Sequence, residues 1–210
     1  MSRLISTFRC HPNDKDSSPA SALAFDDAQQ GILAVASTNG GVSLYDCSSD
    51  RLFSAPSFDS SACGRANPAV QVPTSTDASC VVVSLAWMPG ELTLAMGMED
   101  GNVSLWSVTK NNGKSSPLSS SGSNQLQVKI LSSNKTSHSS PVILLDWSAD
   151  GTRFVSGDKA GNVTLWKVQP KGKVLAKSWY KKESPVTDVI WCCFNGGQVC
   201  FANIIIFLFC

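Results

Sequence analysis

The residues of this chain best suited to nucleophilic, acid–base or metal chemistry are two histidines, His11 and His138, and eight cysteines. The cysteines are Cys10, Cys47, Cys63, Cys80, Cys192, Cys193, Cys200 and Cys210. None stands in a Cys-x-x-Cys pair, and two histidines add few nitrogens, so the spacing describes no zinc site. Neither histidine lies in a recognisable nucleophile motif. Gly113-Lys114-Ser115 evokes a phosphate-binding loop. That loop needs a second glycine where Val108 stands, with a strand before it and a helix after it. Asn102, Asn134 and Asn162 each begin an Asn-x-Ser/Thr triplet, but two of these triplets fall inside expected strands and read as chance matches. The expectation is therefore a non-enzymatic chain with no catalytic, cofactor or metal residues and no small-molecule substrate.

Charge narrows the partners. Net charge is +1, so nothing global calls for nucleic acid or an anionic membrane. One local feature stands out: Lys167, Lys171, Lys173, Lys177, Lys181 and Lys182 run without an acidic residue until Glu183. Such a run suits an acidic partner or lipid headgroups; it suits better a solvated outer strand and its turn. The N-terminal stretch has no apolar core of signal-peptide length, and no apolar run reaches transmembrane length. These features lead to an expected cytoplasmic location with reduced thiols.

What must hold these residues in place is a repeat. Gly101–Trp106 reads GNVSLW and Gly161–Trp166 reads GNVTLW. Upstream of each lies a further tryptophan, Trp87 and Trp147, at the same spacing from Trp106 and Trp166. A weaker copy spans Ser21–Asp46, with Phe25 and Tyr45 at the two tryptophan positions, and a fourth begins at Pro185–Trp191. Within each copy, short β-rich segments alternate in polarity and are punctuated by Gly/Asp turns such as SADG, DKAG and MEDG. Strands are expected at Ala22–Phe25, Ile32–Ala36, Val42–Tyr45, Val82–Trp87, Leu92–Met96, Val103–Val108, Val142–Trp147, Arg153–Ser156, Val163–Val168 and Val174–Trp179, with helix a minor component. The intervals Gly40–Gly101 and Gly101–Gly161 exceed the roughly 40–45 residues of a plain four-stranded repeat. The excess falls in Ser48–Ser79 and Thr109–Ser140, each of which must still supply an outer strand, Gln125–Leu131 in the second case.

Tryptophan closing the third strand, glycine ahead of it and Ser156-Gly157-Asp158 further upstream resemble WD40 repeats. The resemblance implies an all-β, incomplete propeller of about three to four blades, each of four antiparallel strands. Trp87, Gly101, Trp106, Trp147, Gly157, Gly161, Trp166 and Trp191 are the blade-defining residues, and the tryptophans are expected to pack between neighbouring sheets rather than to form a ligand box. The departures have consequences. Tyr45-Asp46 alone keeps a Trp-Asp-like pair, the third-strand turn keeps Asp100 but has Asn39 and Ala160 elsewhere, and His138 is the sole candidate for the upstream histidine. These blades are accordingly expected to lack a buried Asp–His hydrogen-bond network and to depend on apolar packing.

The segments Leu144–Val174 and Ser84–Trp106 resemble, more narrowly, the first propeller of the intraflagellar transport protein 140 family. That resemblance implies a subunit of complex A, with other complex A subunits as partners, a role in retrograde intraciliary transport and cilium assembly, and a place at the cilium and its base. Two alternatives stay open: a generic WD40 adaptor, such as a ubiquitin-ligase substrate receptor, and a propeller hydrolase. The first would carry a Trp-Asp-x-Arg docking signature, whereas Trp166 precedes Lys167-Val168-Gln169; the second would need a polar cluster in the central channel.

The organisation expected is a partial propeller over 1–198, with blades at about 19–80, 81–138 and 139–182, the start of a fourth at 183–198, and an apolar tail over 199–210. The tail carries no charge, is too short to span a bilayer as a helix, and is read as foreign to the family, the product of intron read-through in a shortened isoform. An open arc with such a tail is expected to aggregate or to pair with another chain.

Overall fold

The computed structural model describes residues 19–26, 30–38, 40–47, 70–72, 80–111, 125–134, 138–169, 174–181, 186–192 and 198–201. For 70–72, 111, 125, 174–181, 189–192 and 198–201 it is the backbone that is described. Among the described residues fourteen strands form three four-stranded sheets and a two-stranded one, each antiparallel and in chain order. Blade 1 comprises β1 (Ala20–Phe25), β2 (Ile32–Ser37), β3 (Val42–Asp46) and β4 (Val70–Val72). Blade 2 comprises β5 (Val82–Trp87), β6 (Thr93–Met98), β7 (Val103–Asn111) and β8 (Gln125–Asn134). Blade 3 comprises β9 (Val142–Trp147), β10 (Arg153–Asp158), β11 (Asn162–Val168) and β12 (Val174–Lys181). The fourth sheet pairs β13 (Val189–Cys192) with β14 (Gln198–Phe201). Helix is absent among the described residues.

Each expected strand is present, Val82–Trp87 and Val142–Trp147 with the expected bounds and the others with shifted ends. The second strand of blade 2 is Thr93–Met98, not Leu92–Met96. Leu92 stays in the turn, where its carbonyl accepts the Val108 N–H at 2.8 Å, and the Thr93 N–H donates to the Glu91 carbonyl. The outer pair β7–β8 is longer than its hydrophobic pattern suggested, since the ladder runs out to Asn111↔Gln125 and back to Val103↔Asn134. Polar residues continue the strands there because backbone pairing, not side-chain burial, closes an outer edge. The outer strand of blade 1 falls inside Ser48–Ser79, at Val70–Val72. At the far end, β14 takes up Val199, Cys200 and Phe201, so the boundary drawn at residue 198 falls inside a paired strand.

Alternation of polarity did not translate into one wet and one dry face. Leu94–Met98 and Phe154–Asp158 are buried at every position. The second strand of each blade sits in the middle of its sheet and has a neighbouring blade against it, so both faces are dry. Cluster membership shows the stacking. Ile32, Ala34, Ala36, Val42 and Leu44 of blade 1 share one core with Val82, Trp87, Leu94, Met96 and Trp106 of blade 2. Ala95, Val103 and Leu105 of blade 2 share another with Val142, Trp147, Phe154 and Trp166 of blade 3. Odd and even positions of β6 thus serve two different interfaces.

Two glycines show how close the blades approach. A Cβ on Gly97 would overlap Ser84 Oγ and would stand 2.7 Å from Val142 Cγ1 and 2.8 Å from the Val142 carbonyl. A Cβ on Gly157, the same position one blade on, would stand 2.9 Å from Val186 Cγ1. The incoming segment of the next blade, Val142 in one case and Val186 in the other, occupies the space a side chain would need.

Candidate functional site

Of the residues expected to define the blades, Trp87 and Trp106 lie in the core shared by blades 1 and 2, and Trp147 and Trp166 in the core shared by blades 2 and 3. In blade 3 the register places Phe154 between Trp147 and Trp166 on three adjacent strands. The rings of Phe154 and Trp166 stack with centroids 5.3 Å apart, and Trp147 lies tilted over Phe154 at 4.8 Å. Blade 2 repeats the row as Trp87, Leu94 and Trp106, and blade 1 as Phe25, Leu33 and Tyr45. The first tryptophan of each row reaches across the seam. Trp87 Nε1 donates to the Ala24 carbonyl at 3.1 Å, and Trp147 Nε1 donates to the Ala86 carbonyl at 3.2 Å. Ser21 Oγ donates to the Val82 carbonyl and Ser84 Oγ to the Val142 carbonyl, both at 2.6 Å. Lys110 and Asp46 add an ion pair of 2.9 Å between blades 2 and 1, with both side chains largely buried. Trp191 lies in β13, and its side chain is outside the described residues.

Gly101 and Gly161 occupy the matching turns after β6 and β10, at φ +85° and +90°. Gly101 has a second constraint: its Cβ would overlap the His138 carbonyl, and its own carbonyl accepts the His138 N–H at 3.2 Å. The turn of blade 2 therefore seats the segment that enters blade 3.

That segment delivers His138, and here the expectation from sequence needs correction. Blade 3 has a buried Asp–His network. His138 Nδ1 lies 3.2 Å from Asp158 Oδ2, His138 Nε2 lies 2.6 Å from Ser156 Oγ, and Trp166 Nε1 donates to Ser156 Oγ at 2.7 Å. The aspartate comes from the end of β10 rather than from the turn position held by Ala160. From there its carboxylate accepts the backbone N–H groups of Ala160 and Asn162 and the Asn162 side-chain amide. The signal was in the sequence as Ser156-Gly157-Asp158, whose alternation puts Ser156 and Asp158 on one face. In blade 2 Met96 and Met98 hold these two positions, and there the apolar packing expected of the blades is what occurs.

The network resembles an acyl-transfer triad in its order of contacts, serine to histidine to aspartate. It has no access for a substrate. Ser156 and Asp158 are fully buried, and both histidine nitrogens are engaged. One proton arrangement satisfies every group: Trp166 N–H to Ser156 Oγ, Ser156 O–H to His138 Nε2, and His138 Nδ1–H to Asp158. It requires neutral histidine. Burial depresses the His138 pKa below its ordinary value, against the opposing pull of the Asp158 carboxylate. The network is a clamp joining the entry segment, β10 and β11.

Elsewhere, Asp150 organises the first hairpin of blade 3. It accepts from Ser148 Oγ at 2.6 Å and from the Thr152 N–H at 3.0 Å, and these bonds hold its carboxyl below the usual carboxylate range. Cys47 and Cys80 form no disulfide. Burial raises the Cys80 thiol pKa, which disfavours thiolate chemistry. Among the described residues no cluster of His, Cys, Asp and Glu could hold a metal, and no helix is long and apolar enough to cross a membrane. Of the lysine run, Lys167 is exposed on β11, while Lys177 and Lys181 lie on the neighbouring β12, opposite Leu165 and Asn162. Lys171, Lys173 and Lys182 lie outside the described residues.

Stacked four-stranded meanders joined by tryptophan seams define a WD40-like β-propeller, a class of scaffold built to bind other proteins. The chain belongs to the family of the IFT140 first beta-propeller, whose profile matches residues 68–198. It is also 28% identical, over 161 residues, to telomerase protein component 1 of Rattus norvegicus, an alignment covering 65% of this chain and 6% of that protein. Among solved structures, Sqt1 of Saccharomyces cerevisiae superposes with a TM-score of 0.61 at 13% identity, covering 89% of this chain and 43% of that one. Sqt1 of Chaetomium thermophilum bound to the N-terminus of ribosomal protein L10 gives 0.57 at 16% identity, over 84% and 40% of the two chains. The computationally designed Ika8 protein gives 0.55 at 20% identity, over 88% and 42%. The chain thus spans less than half the length of each of these proteins, and the structural likenesses establish the fold.

Proposed function

We propose that the chain is a non-catalytic interaction module of a complex A subunit of intraflagellar transport, acting in retrograde intraciliary transport and cilium assembly at the cilium and its base. The observation that carries this reading is the family match over residues 68–198. The geometry supports it in a specific way: among the described residues the serine, histidine and aspartate that resemble a triad are consumed inside blade 3, so what these blades offer to the outside is surface. Complex A subunits are the partners, and the lysine run of blade 3, with Lys167 exposed, is the surface offered to an acidic segment of one of them. The blades comprise residues of about 19–80, 81–138 and 139–182, with a fourth from 183.

Affinity purification of the protein from ciliated cells tests this. Recovery of complex A subunits, and their loss when Lys167, Lys177 and Lys181 are changed to Glu, is the expected result. Recovery of ubiquitin-ligase subunits in their place would overturn it. Chaetomium thermophilum Sqt1, a chain of similar fold, binds the N-terminus of ribosomal protein L10, which supports a peptide-sized epitope on the partner here.

A further inference from the structure

We propose that the outer edge of β8, in blade 2, is a docking strand that takes up an extended, acidic segment of a partner protein as an added strand of the sheet. In sheet order β8 stands last, with β7 on one side and, among the described residues, no strand on the other. Blades 1 and 3 both pack against blade 2, so this edge does not depend on what precedes the one or follows the other. It is ten residues long, Gln125–Asn134, against three for β4 and eight for β12.

The ladder fixes which groups point outward. The Val108 N–H donates to the Leu92 carbonyl at 2.8 Å, on the β6 side of β7. Val108 therefore turns its backbone away from β8, and its partner Val128 likewise turns its own away from β7. By the two-residue period Leu126, Val128 and Ile130 direct their N–H and C=O groups outward, while Gln127 and Lys129 bond to β7. The pairing is regular from Asn111↔Gln125 to Trp106↔Ile130 and shifts register only past Ile130. A regular row of outward backbone donors and acceptors is a template for strand addition.

The side chains select the partner. Leu126, Val128 and Ile130 share the face of Trp106 and Val108, and Leu126 and Val128 join the core between blades 1 and 2. Ile130, opposite Trp106, is left 47% exposed. On the other face Gln127 and Lys129 are exposed. Neither β7 nor β8 contains an acidic residue, and Lys110 of β7 is already matched by Asp46. An added strand thus meets apolar side chains on one face and an exposed lysine on the other, which fits a segment alternating apolar residues with aspartate or glutamate. A second copy of β8 fits poorly, because its own Lys129 would come onto the same face. This edge is separate from the lysine run of blade 3, and the inference does not rest on the ciliary role.

The test is binding of a synthetic alternating Val-Asp peptide, matched in length to Gln125–Ile130, to the full 210-residue chain, followed by NMR with amide hydrogen exchange. Without peptide, the Val128 and Ile130 amides should exchange fast and those of Gln127 and Lys129 slowly. The peptide should bind with a Kd of about 100 μM and slow the first pair. Ile130→Pro removes an outward N–H that β7 does not use, a place where an edge strand tolerates proline. It should weaken binding at least about tenfold while keeping the parent's circular dichroism. N-methylation of the peptide's own amides leaves the protein untouched and should abolish binding, whatever the proline does to the sheet. Lys129→Glu should reverse the preference in favour of a Val-Lys peptide. No binding at about 1 mM peptide overturns the proposal. Binding that survives N-methylation, or that leaves exchange at Val128 and Ile130 unchanged, overturns it as well. Protection of these amides without peptide assigns the edge to a segment of the same chain, or to a second copy where protection grows with protein concentration; either overturns it. Equal binding of Val-Asp and Val-Lys peptides to the parent overturns the acidic partner.

Discussion

The indole N–H of Trp147 donates to the carbonyl of Ala86 at 3.2 Å, across the seam between blades 3 and 2. Ala86 immediately precedes Trp87, whose own indole makes the same bond to Ala24. Each tryptophan is thus both a ring filling one seam and the register mark for the next. Trp147→Phe keeps most of the ring and removes the donor; it should cost about 0.5–1.5 kcal/mol. Trp147→Ala empties the seam and should cost about 3–5 kcal/mol. Urea unfolding followed by circular dichroism separates the two. Equal losses for both variants would show that the hydrogen bond, not the ring, carries the seam.

Stability should depend on pH through His138. Its folded pKa lies below the ordinary 6.5, so on acidification the unfolded chain takes up the proton first. The stabilisation is complete above pH 6.5 and is lost as pH falls from there through the folded pKa. Asp150 contributes a separate loss at lower pH, below the ordinary carboxyl value of 3.8, because its folded pKa is also depressed. His138→Phe should flatten the first step and leave the second. Denaturation midpoints measured in steps from pH 8 to pH 3 report both; an unchanged upper step in the variant would assign it to another group.

Gly101→Ala meets two obstacles, a positive φ and the His138 carbonyl. Overpacking against backbone, which cannot swing away, costs about 1–3 kcal/mol. Gly90 also has a positive φ but has open space around its missing Cβ. Gly90→Ala should therefore cost only the conformational penalty, about 1–2 kcal/mol. Comparing the two thermal midpoints isolates the contribution of the close approach at His138.

Lys110 and Asp46 form a largely buried pair between blades. Removing one partner leaves an uncompensated charge, at a cost of about 3–5 kcal/mol for Asp46→Ala, whereas replacing both with apolar residues of similar volume should be far milder. A double-mutant cycle of Asp46→Leu with Lys110→Met, read by chemical denaturation, measures the coupling. Additive single losses would mean that the ions do not sense one another.

Much of the architecture was legible from composition and spacing. Trp87–Trp106 and Trp147–Trp166 stand at one interval, and Gly/Asp turns separate β-rich segments; these marks are local, and strand and turn formation at Val82–Trp87 or Val142–Trp147 is largely a local matter. Strand ends were less legible. Thr93–Met98 and Val103–Asn111 stop where the ladder stops, and the ladder depends on a partner strand. The Gly97–Met98 and Gly157–Asp158 ends were read short because other segments bury them: Val142 beside Gly97, the core shared with blade 1 around Met98, Val186 beside Gly157 and His138 at Asp158.

What the sequence by itself determined is the unit: four short strands, a glycine turn before the third, and an aromatic at the close of the first and third. Only the tertiary structure decided what each unit's residues would do. Ser156, Asp158 and Trp166 lie on one blade and His138 on the segment leading into it, yet the four meet in one buried chain of hydrogen bonds because the turn at Gly101 seats that segment. Phe25 and Trp87 hold the same place in their blades, but one is exposed and the other buried. Burial is a property of two surfaces in contact, so no reading of a single repeat contains it; the neighbouring blade decides.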